Sequence, residues 1–304
     1  MIPPAPQPFG PTPLMTTVPA TIPAALSTRR RVARRVMRNP LAVLGLVVVL
    51  TAVVAAILAD VVAPYPADEV NFAQPLRPPS GQHLFGTDSL GRDGFSRAIF
   101  GLRVSIAVGL LSVVLSLSVG VPFGLLAGFY GALDPVVSRL TDTLLAFPFL
   151  VLAVGLAAIR GPSLLTAVIA IGIAQIPGVV RVTRGETLRL RHMDFVAAAV
   201  AGGANDFVLL RRHILPNAIN VLIVQATVAI PGAIIGEAVL SFLGLGVRPP
   251  TPSLGVMLAD AQTFVRDGPW MAVFPGVTIV ILTLALNLLG DGLRDALDPR
   301  ESRS

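Results

Sequence analysis

Few side chains in this 304-residue sequence are placed to do chemistry. The three histidines, His83, His192 and His213, are scattered, and no nucleophile, base or metal-ligand set gathers around them. Asp88 and Asp93 lack the D-x-[DN]-x-[DN]-G spacing of a calcium loop. Cysteine is absent, which excludes disulfides, zinc ribbons and thiol catalysis. Lysine is absent as well, so all 23 basic residues are arginine. The chain therefore lacks the G-x-x-x-x-G-K-[ST] phosphate loop of a Walker ATPase. No residue is assigned a catalytic or metal-binding role. Two acids matter because of where they lie. Asp142, in "SRLTDTLLAFP", sits one turn after Arg139, a spacing that predicts a pair. Glu237, in "GAIIGEAVLSFLGLG" with Ser241 one turn on, has no obvious local partner. A charge at mid-bilayer costs at least ~2.5–3.5 kcal/mol, so Glu237 is expected to be protonated, paired across helices, or placed with Ser241 on a translocation path.

The elements that carry these residues are membrane helices. Hydrophobic residues make up 54% of the chain, charged residues only 13%, and the mean hydropathy is +0.78. A soluble protein of this length needs a wet, charged surface that this composition cannot supply. The fold class is an all-α membrane protein, because lipid offers no partner for an unpaired backbone group. Six spans are predicted, over 41–63, 103–130, 134–159, 162–182, 217–245 and 269–292, with Trp270 at a membrane interface. Prolines 122, 148, 177, 231 and 275 are positioned to kink them. Ser112, Ser116, Gly120, Gly124 and Gly128 recur every four residues and put a small-residue stripe on one helix face. That stripe is either ordinary close packing or a sliding surface.

Arginine placement sets the expected orientation. With the N-terminus inside, 16 arginines fall in inner segments and 7 in outer ones. Both termini are then cytoplasmic. The expected organisation is a Pro-rich, Arg-rich disordered tail over 1–40, a six-helix domain over 41–299, and a short tail over 300–304. The domain contains outer loops at 64–102 and 246–268 and an inner loop at 183–216. In the first outer loop, Arg97 and Arg103 flank an apolar patch, as an interfacial helix would. In the second, a short helix over 255–264 is predicted, facing an external partner. The pI near 11.2 does not indicate a nucleic-acid partner, because the arginines lie beside spans and form no basic domain.

The inner loop holds "DFVAAAVAGGANDFVLLRRHILPN", residues 194–217, too polar to cross a bilayer and too patterned for a loose connection. Two short helices are predicted. Asp194 caps the first, Gly202 and Gly203 break it, Asn205 caps the second, and Pro216 ends that helix before the fifth span. Phe207, Leu210 and Ile214 share a face expected to bury against the span ends. The first helix is almost entirely small, which suits a close fit in a groove of another protein. This is a docking element.

The same stretch resembles the EAA loop of ABC-importer permeases, with Ala198, Ala199, Gly203, Leu215 and Pro216 at matching positions. "GTDSLGRDGFSR", "LLAFP", "RHILPN" and "EAVLSFLGLG" resemble the C-type permease subunit of the peptide/nickel branch, and the likeness runs over about 41–299. The family's glutamate is Ala197 here, and Asp194, one turn earlier, is positioned to substitute for it. The resemblance implies a type I ABC importer permease fold in a bacterial inner membrane. It implies a second permease subunit as heterodimer partner, two ATPase subunits or one dual ATPase, and an external substrate-binding protein. ATP and magnesium belong on the ATPases, with no cofactor in this chain. Asp194, Ala197, Ala198, Ala199, Gly203, Asp206, Arg211, Arg212 and Pro216 are implied to couple to the ATPase. Di- or oligopeptides are the expected substrate, with nickel or another small solute as alternative. A secondary transporter or channel, or a membrane enzyme, is the competing class.

Overall fold

A computed structural model describes residues 33–297. The helices are α1 (Pro40–Ile57), α2 (Ala59–Val62), α3 (Gly94–Phe129), α4 (Asp134–Ala146), α5 (Phe149–Arg160), α6 (Leu164–Leu190), α7 (Asp194–Ala201), α8 (Asp206–Val208), α9 (Leu215–Phe242), α10 (Leu254–Ala261) and α11 (Trp270–Leu297). A π-helical turn, Leu209–Ile214, joins α8 to α9. Five of the described helices are long and apolar enough to cross a membrane, counting α8 to α9 as one rod of 37 residues. The pair α4 and α5 makes a sixth span if counted as one, bent by 85°. The break falls at Phe147 and Pro148, where a proline cannot continue the helix ladder. The span expected over 134–159, with Pro148 positioned to kink it, is broken at that proline into two helices. Prolines 122, 177, 231 and 275 stay inside continuous helices.

α3 and α6 form the centre of the bundle. The small-residue stripe of α3 lies against α6, with Ser112 donating to the Val168 carbonyl at 3.3 Å. A Cβ on Gly120 would stand 2.7 Å from the Val179 side chain, and one on Gly124 2.5 Å from that of Thr183. Each is closer than real carbon atoms approach, so glycine sets the spacing between these two helices. We expect Gly124→Val to cost about 1–3 kcal/mol through overpacking and to lower the yield and thermal midpoint of the folded chain. Gly155→Val, where nothing lies within 4 Å, is expected to change neither.

The two ends of the bundle differ. At one end the loop 63–93 packs with the start of α3, the end of α1, α10 and the start of α11. Trp270 opens α11 and donates from Nε1 to the Thr87 carbonyl at 3.0 Å. α3 begins at Gly94, nine residues before the expected span, with Asp93 accepting from Ser96 N at 2.8 Å as cap. Arg97 and Arg103 therefore sit inside α3 and flank no separate interfacial helix. The helix predicted over 255–264 is present as α10 plus a 3-10 turn, Gln262–Phe264. Leu254, Gly255, Val256 and Met257 are buried, so the first turn of α10 is packed into the core at this end. At the other end, Val36 and Ala42 pack on Ala296. Residues 33–36, within the tail expected over 1–40, are helical; residues 1–32 of that tail and the tail expected over 300–304 lie outside the described residues.

Candidate coupling site

α7 and the π turn stand at the end of the bundle where α3 and α6 finish. Val196, on α7, is buried in a cluster with Leu125 of α3, Leu190 of α6, Leu209 and Ile214 of the π turn, and Ala218 of α9. One apolar residue thus ties the small helix to four structural elements. Around it, Ala197 and Ala198 are exposed and Ala199 is half-buried. Asp194, Phe195 and Val200 are exposed as well, so α7 presents two alanines beside two larger apolar side chains, on a base fixed through Val196.

Polar contacts reinforce that base. Arg191 donates from Nη1 to the Gly128 and Phe129 carbonyls, at 3.1 and 3.4 Å, holding the end of α6 to the end of α3. These are the last carbonyls of α3, which have no partner within the helix. Tyr130 donates its hydroxyl to Asp206 at 3.0 Å, joining the end of α3 to α8. The bond to the Asp206 carboxylate holds the Tyr130 hydroxyl proton above the usual tyrosine range. Arg184 pairs with Asp134 through both oxygens, tying α6 to α4. None of these pairs has a local sequence signal, because the partners are 50 or more residues apart.

Several details of the stretch differ from expectation. Asn205 does cap its helix, accepting from Val208 N at 3.0 Å, and Gly203 adopts φ +81° after α7. Asp194, however, is the first residue of α7 and makes no capping bond; Met193 occupies the cap. Its carboxylate instead lies in the first turn, where the helix dipole favours negative charge. Pro216 does not end a helix but lies in the first turn of α9, and the rod runs on to Phe242. The π turn explains this. Its bonds run five residues back, as Leu215 N to Leu210 O does, which widens the ladder just ahead of a proline that has no N–H to offer. The same turn re-registers the buried face. Leu209 and Ile214, five apart, are buried, Leu210 is half-buried, and Phe207 is 67% exposed with Arg211 over its ring. Arg211 and Arg212 are exposed.

The acids inside the spans also find partners. Asp142 pairs with Arg181 at 2.8 Å and not with Arg139, because α6 brings the guanidinium across from another helix. Glu237 is 0% exposed. Ser105 of α3 donates to one of its oxygens at 2.6 Å and Ser241 to the other at 2.7 Å. Ser241 Oγ also accepts from Val247 N at 3.1 Å, so the acid fixes the turn after α9. Among the described residues no group of three His, Cys, Asp or Glu side chains is placed to hold a metal ion.

Comparison with known proteins identifies the bundle on which this short helix is mounted. A family model described as "Binding-protein-dependent transport system inner membrane component" matches residues 120–303. The chain belongs to this family. A second model, for the N-terminal membrane domain of oligopeptide transport permease C, matches residues 27–79. The dipeptide transport system permease protein of Alkalihalophilus pseudofirmus is 45% identical to this inner-membrane component, over 76% of this chain and 77% of its own. The di/tripeptide transport system permease protein of Pseudomonas aeruginosa is 47% identical over 79% and 81%. The glutathione transport system permease protein of Pectobacterium atrosepticum is 45% identical over 73% and 74%. Among solved structures, the inward-facing methionine ABC transporter MetNI matches with a TM-score of 0.56 at 20% identity, over 65% of this chain and 94% of that one. The fold of this inner-membrane component is therefore the type I ABC importer permease fold.

Proposed function

We propose that this chain is one of two permease subunits of an ATP-driven importer for di- or oligopeptides, and that residues 194–216 couple it to the ATPase. The observation that carries the reading is α7: a helix that exposes Ala197 and Ala198 and is tied through Val196 to the ends of α3, α6 and α9, in a chain without a nucleotide loop. The peptide assignment rests on the names of the relatives, which transport dipeptides, di/tripeptides and glutathione.

In this reading both termini lie in the cytoplasm, as the arginine bias favours. ATP and magnesium bind on two ATPase subunits or one dual ATPase, and an external binding protein delivers substrate to a heterodimer of permeases. ATPase closure displaces α7, with Ala197, Ala198 and Ala199 against the ATPase groove and Gly203 allowing the turn behind them. Arg211 and Arg212 flank the groove. Arg191 and the Tyr130–Asp206 bond pass the displacement to the ends of α6 and α3, which move together because their stripe leaves no slack. The rod from Asp206 through Pro216 carries it to Glu237 and Ser241, which border the translocation path. In the conformation at hand both are enclosed between α3 and α9.

Asp194 stands in for the glutamate replaced by Ala197. Asp194→Ala is expected to reduce substrate-stimulated ATP hydrolysis about 5–150-fold in the assembled complex, the range of coupling free energies near 1–3 kcal/mol. Unchanged hydrolysis would remove Asp194 from the coupling. The reading as a whole is tested by purifying the tagged chain in mild detergent and identifying what accompanies it. An ATPase, a second six-span permease and an external binding protein carrying a peptide are expected. A chain recovered alone that moves solute in liposomes without ATP would make it a secondary transporter or channel.

A further inference from the structure

α1 and α11 meet along a seam that ends in a charged recess. A Cβ on Gly45 would stand 2.5 Å from the Ala285 carbonyl oxygen, and one on Gly292 2.2 Å from the Ala42 Cβ. Glycine thus lets the two helices close together. Where the seam ends, Arg35, Arg38, Asn39, Gly292, Asp295 and Ala296 line a recess of about 330 Å³. Arg34 and Arg38 are exposed and form no ion pair among the described residues, and Arg35 is half-buried. Asn39 uses its side-chain oxygen to cap α1, accepting from Leu41 N and Ala42 N, so its amide N–H groups are what it offers a ligand. The recess therefore presents guanidinium and amide donors against one carboxylate, that of Asp295.

The depth of the recess decides what reaches it. α1 has 18 residues, so at 1.5 Å per residue it is about 27 Å long, close to the ~30 Å hydrocarbon thickness of a bilayer. Residues 34–39, just ahead of α1, then lie at head-group depth. Leu41, Leu44 and Val47 are exposed along α1, and Met37 is exposed beside Arg38, which makes an apolar track for acyl chains. Over 33–39 and 291–297 four arginines (Arg34, Arg35, Arg38, Arg294) stand against two acids (Asp291, Asp295), a balance of +2. All six are exposed or half-buried. In the sequence Arg29, Arg30 and Arg31 precede them. A basic cluster beside a span, with a recess between span ends, is matched to an anionic phospholipid head group. A lipid engages the recess and the apolar track together, which a soluble phosphate cannot. Asp295 opposes a bare phosphate but accepts from the hydroxyls of a glycerol head group.

We propose that the recess between the ends of α1 and α11 binds an anionic phospholipid of the phosphatidylglycerol class. Its phosphate accepts from Arg38 and Asn39, with Arg34 alongside. Its glycerol hydroxyls donate to Asp295, and its acyl chains lie on Leu41, Leu44 and Val47. The bound lipid bridges the seam and ties the first span to the bundle. The inference rests on α1 crossing the membrane and holds whatever solute the complex carries.

The test uses the full chain in nanodiscs of phosphatidylglycerol, phosphatidylethanolamine and phosphatidylcholine in equal parts, released for native mass spectrometry to count the lipids retained. Phosphatidylglycerol is expected to be retained preferentially. Arg38→Gln is expected to lower that preference about fivefold and Arg34→Gln/Arg38→Gln about 25-fold, the effect of one and two arginines near an anionic surface. Arg160→Gln, at an exposed arginine ending α5, is expected to leave it unchanged. Phosphatidylglycerol is also expected to raise the thermal midpoint of the wild type over that in phosphatidylcholine alone, and not that of the double variant. In phosphatidylcholine alone the wild type and the double variant are expected to melt together, which separates lost lipid from lost fold. Equal retention of the three lipids by the wild type, or an unchanged preference in the double variant, would overturn the proposal. If inorganic phosphate added to phosphatidylcholine nanodiscs raises the midpoint as much as phosphatidylglycerol does, the recess is a soluble-anion site and the lipid assignment is wrong.

Discussion

Ala198→Trp is expected to lower ATP-driven transport about 5–150-fold while the complex still folds. Ala198 is exposed on α7, so the indole meets nothing within the chain and the bundle keeps its stability. The cost falls where α7 enters its partner. Helices that dock through small residues approach closely, and an added ring costs about 1–3 kcal/mol of overpacking. A loss of that size in coupling lowers substrate-stimulated hydrolysis about 5–150-fold. The measurement is hydrolysis and uptake in proteoliposomes, with the thermal midpoint as control. Val196→Trp should behave differently, because Val196 is buried among Leu125, Leu190, Leu209 and Ile214. That variant is expected to lose folded protein first.

Arg97→Ala is expected to be the most destabilising single change at the opposite end. Arg97 is almost wholly buried, with Asp260 at 3.3 Å and Asp88 at 3.6 Å, and Asp260 belongs to α10. Removing one member of a buried ion cluster leaves the others uncompensated, at about 3–5 kcal/mol. Burial already pushes the Asp260 carboxyl above its ordinary value, against the opposing pull of Arg97 and Arg92. Loss of Arg97 raises it further. An acid whose folded pKa is raised binds its proton more tightly when folded, so its contribution to stability falls as pH rises above the ordinary carboxylate range. The Arg97→Ala deficit is therefore expected to widen from acid toward neutral pH. Thermal midpoints of wild type and variant across that range measure it, and a pH-independent gap would contradict the role given to Asp260.

Both ends show what sequence patterning reveals and where it stops. The spans were legible because apolar length alone specifies a membrane helix, and the stripe from Ser112 to Gly128 was legible because period four is a local property. Asn205 and Gly203 were legible for the same reason: a cap and a positive-φ turn are decided within a few residues. The break at Pro148 was visible as a proline but not as an 85° bend, since Pro122 and Pro177 lie in continuous helices and only the surroundings differ. The π turn was not legible. It arises where the ladder must accommodate Pro216 and bury Leu209 and Ile214 together, and it displaced both the expected helix end and Phe207 from the buried face. Partners such as Arg181 for Asp142 and Ser105 for Glu237 come from other helices, so spacing along the chain pointed to Arg139 or to nothing.

The most direct test of the central claim uses the absence of cysteine. Ala198→Cys and Ile223→Cys each introduce a single thiol into a chain that has none, one on α7 and one on an exposed face of α9. In the assembled complex, a short thiol-reactive photocrosslinker at position 198 is expected to capture the ATPase subunit, with a yield that changes when ATP binds. Position 223 is expected to give no ATPase product. Capture of the ATPase from 223 but not from 198, or a yield at 198 indifferent to ATP, would contradict coupling through this loop.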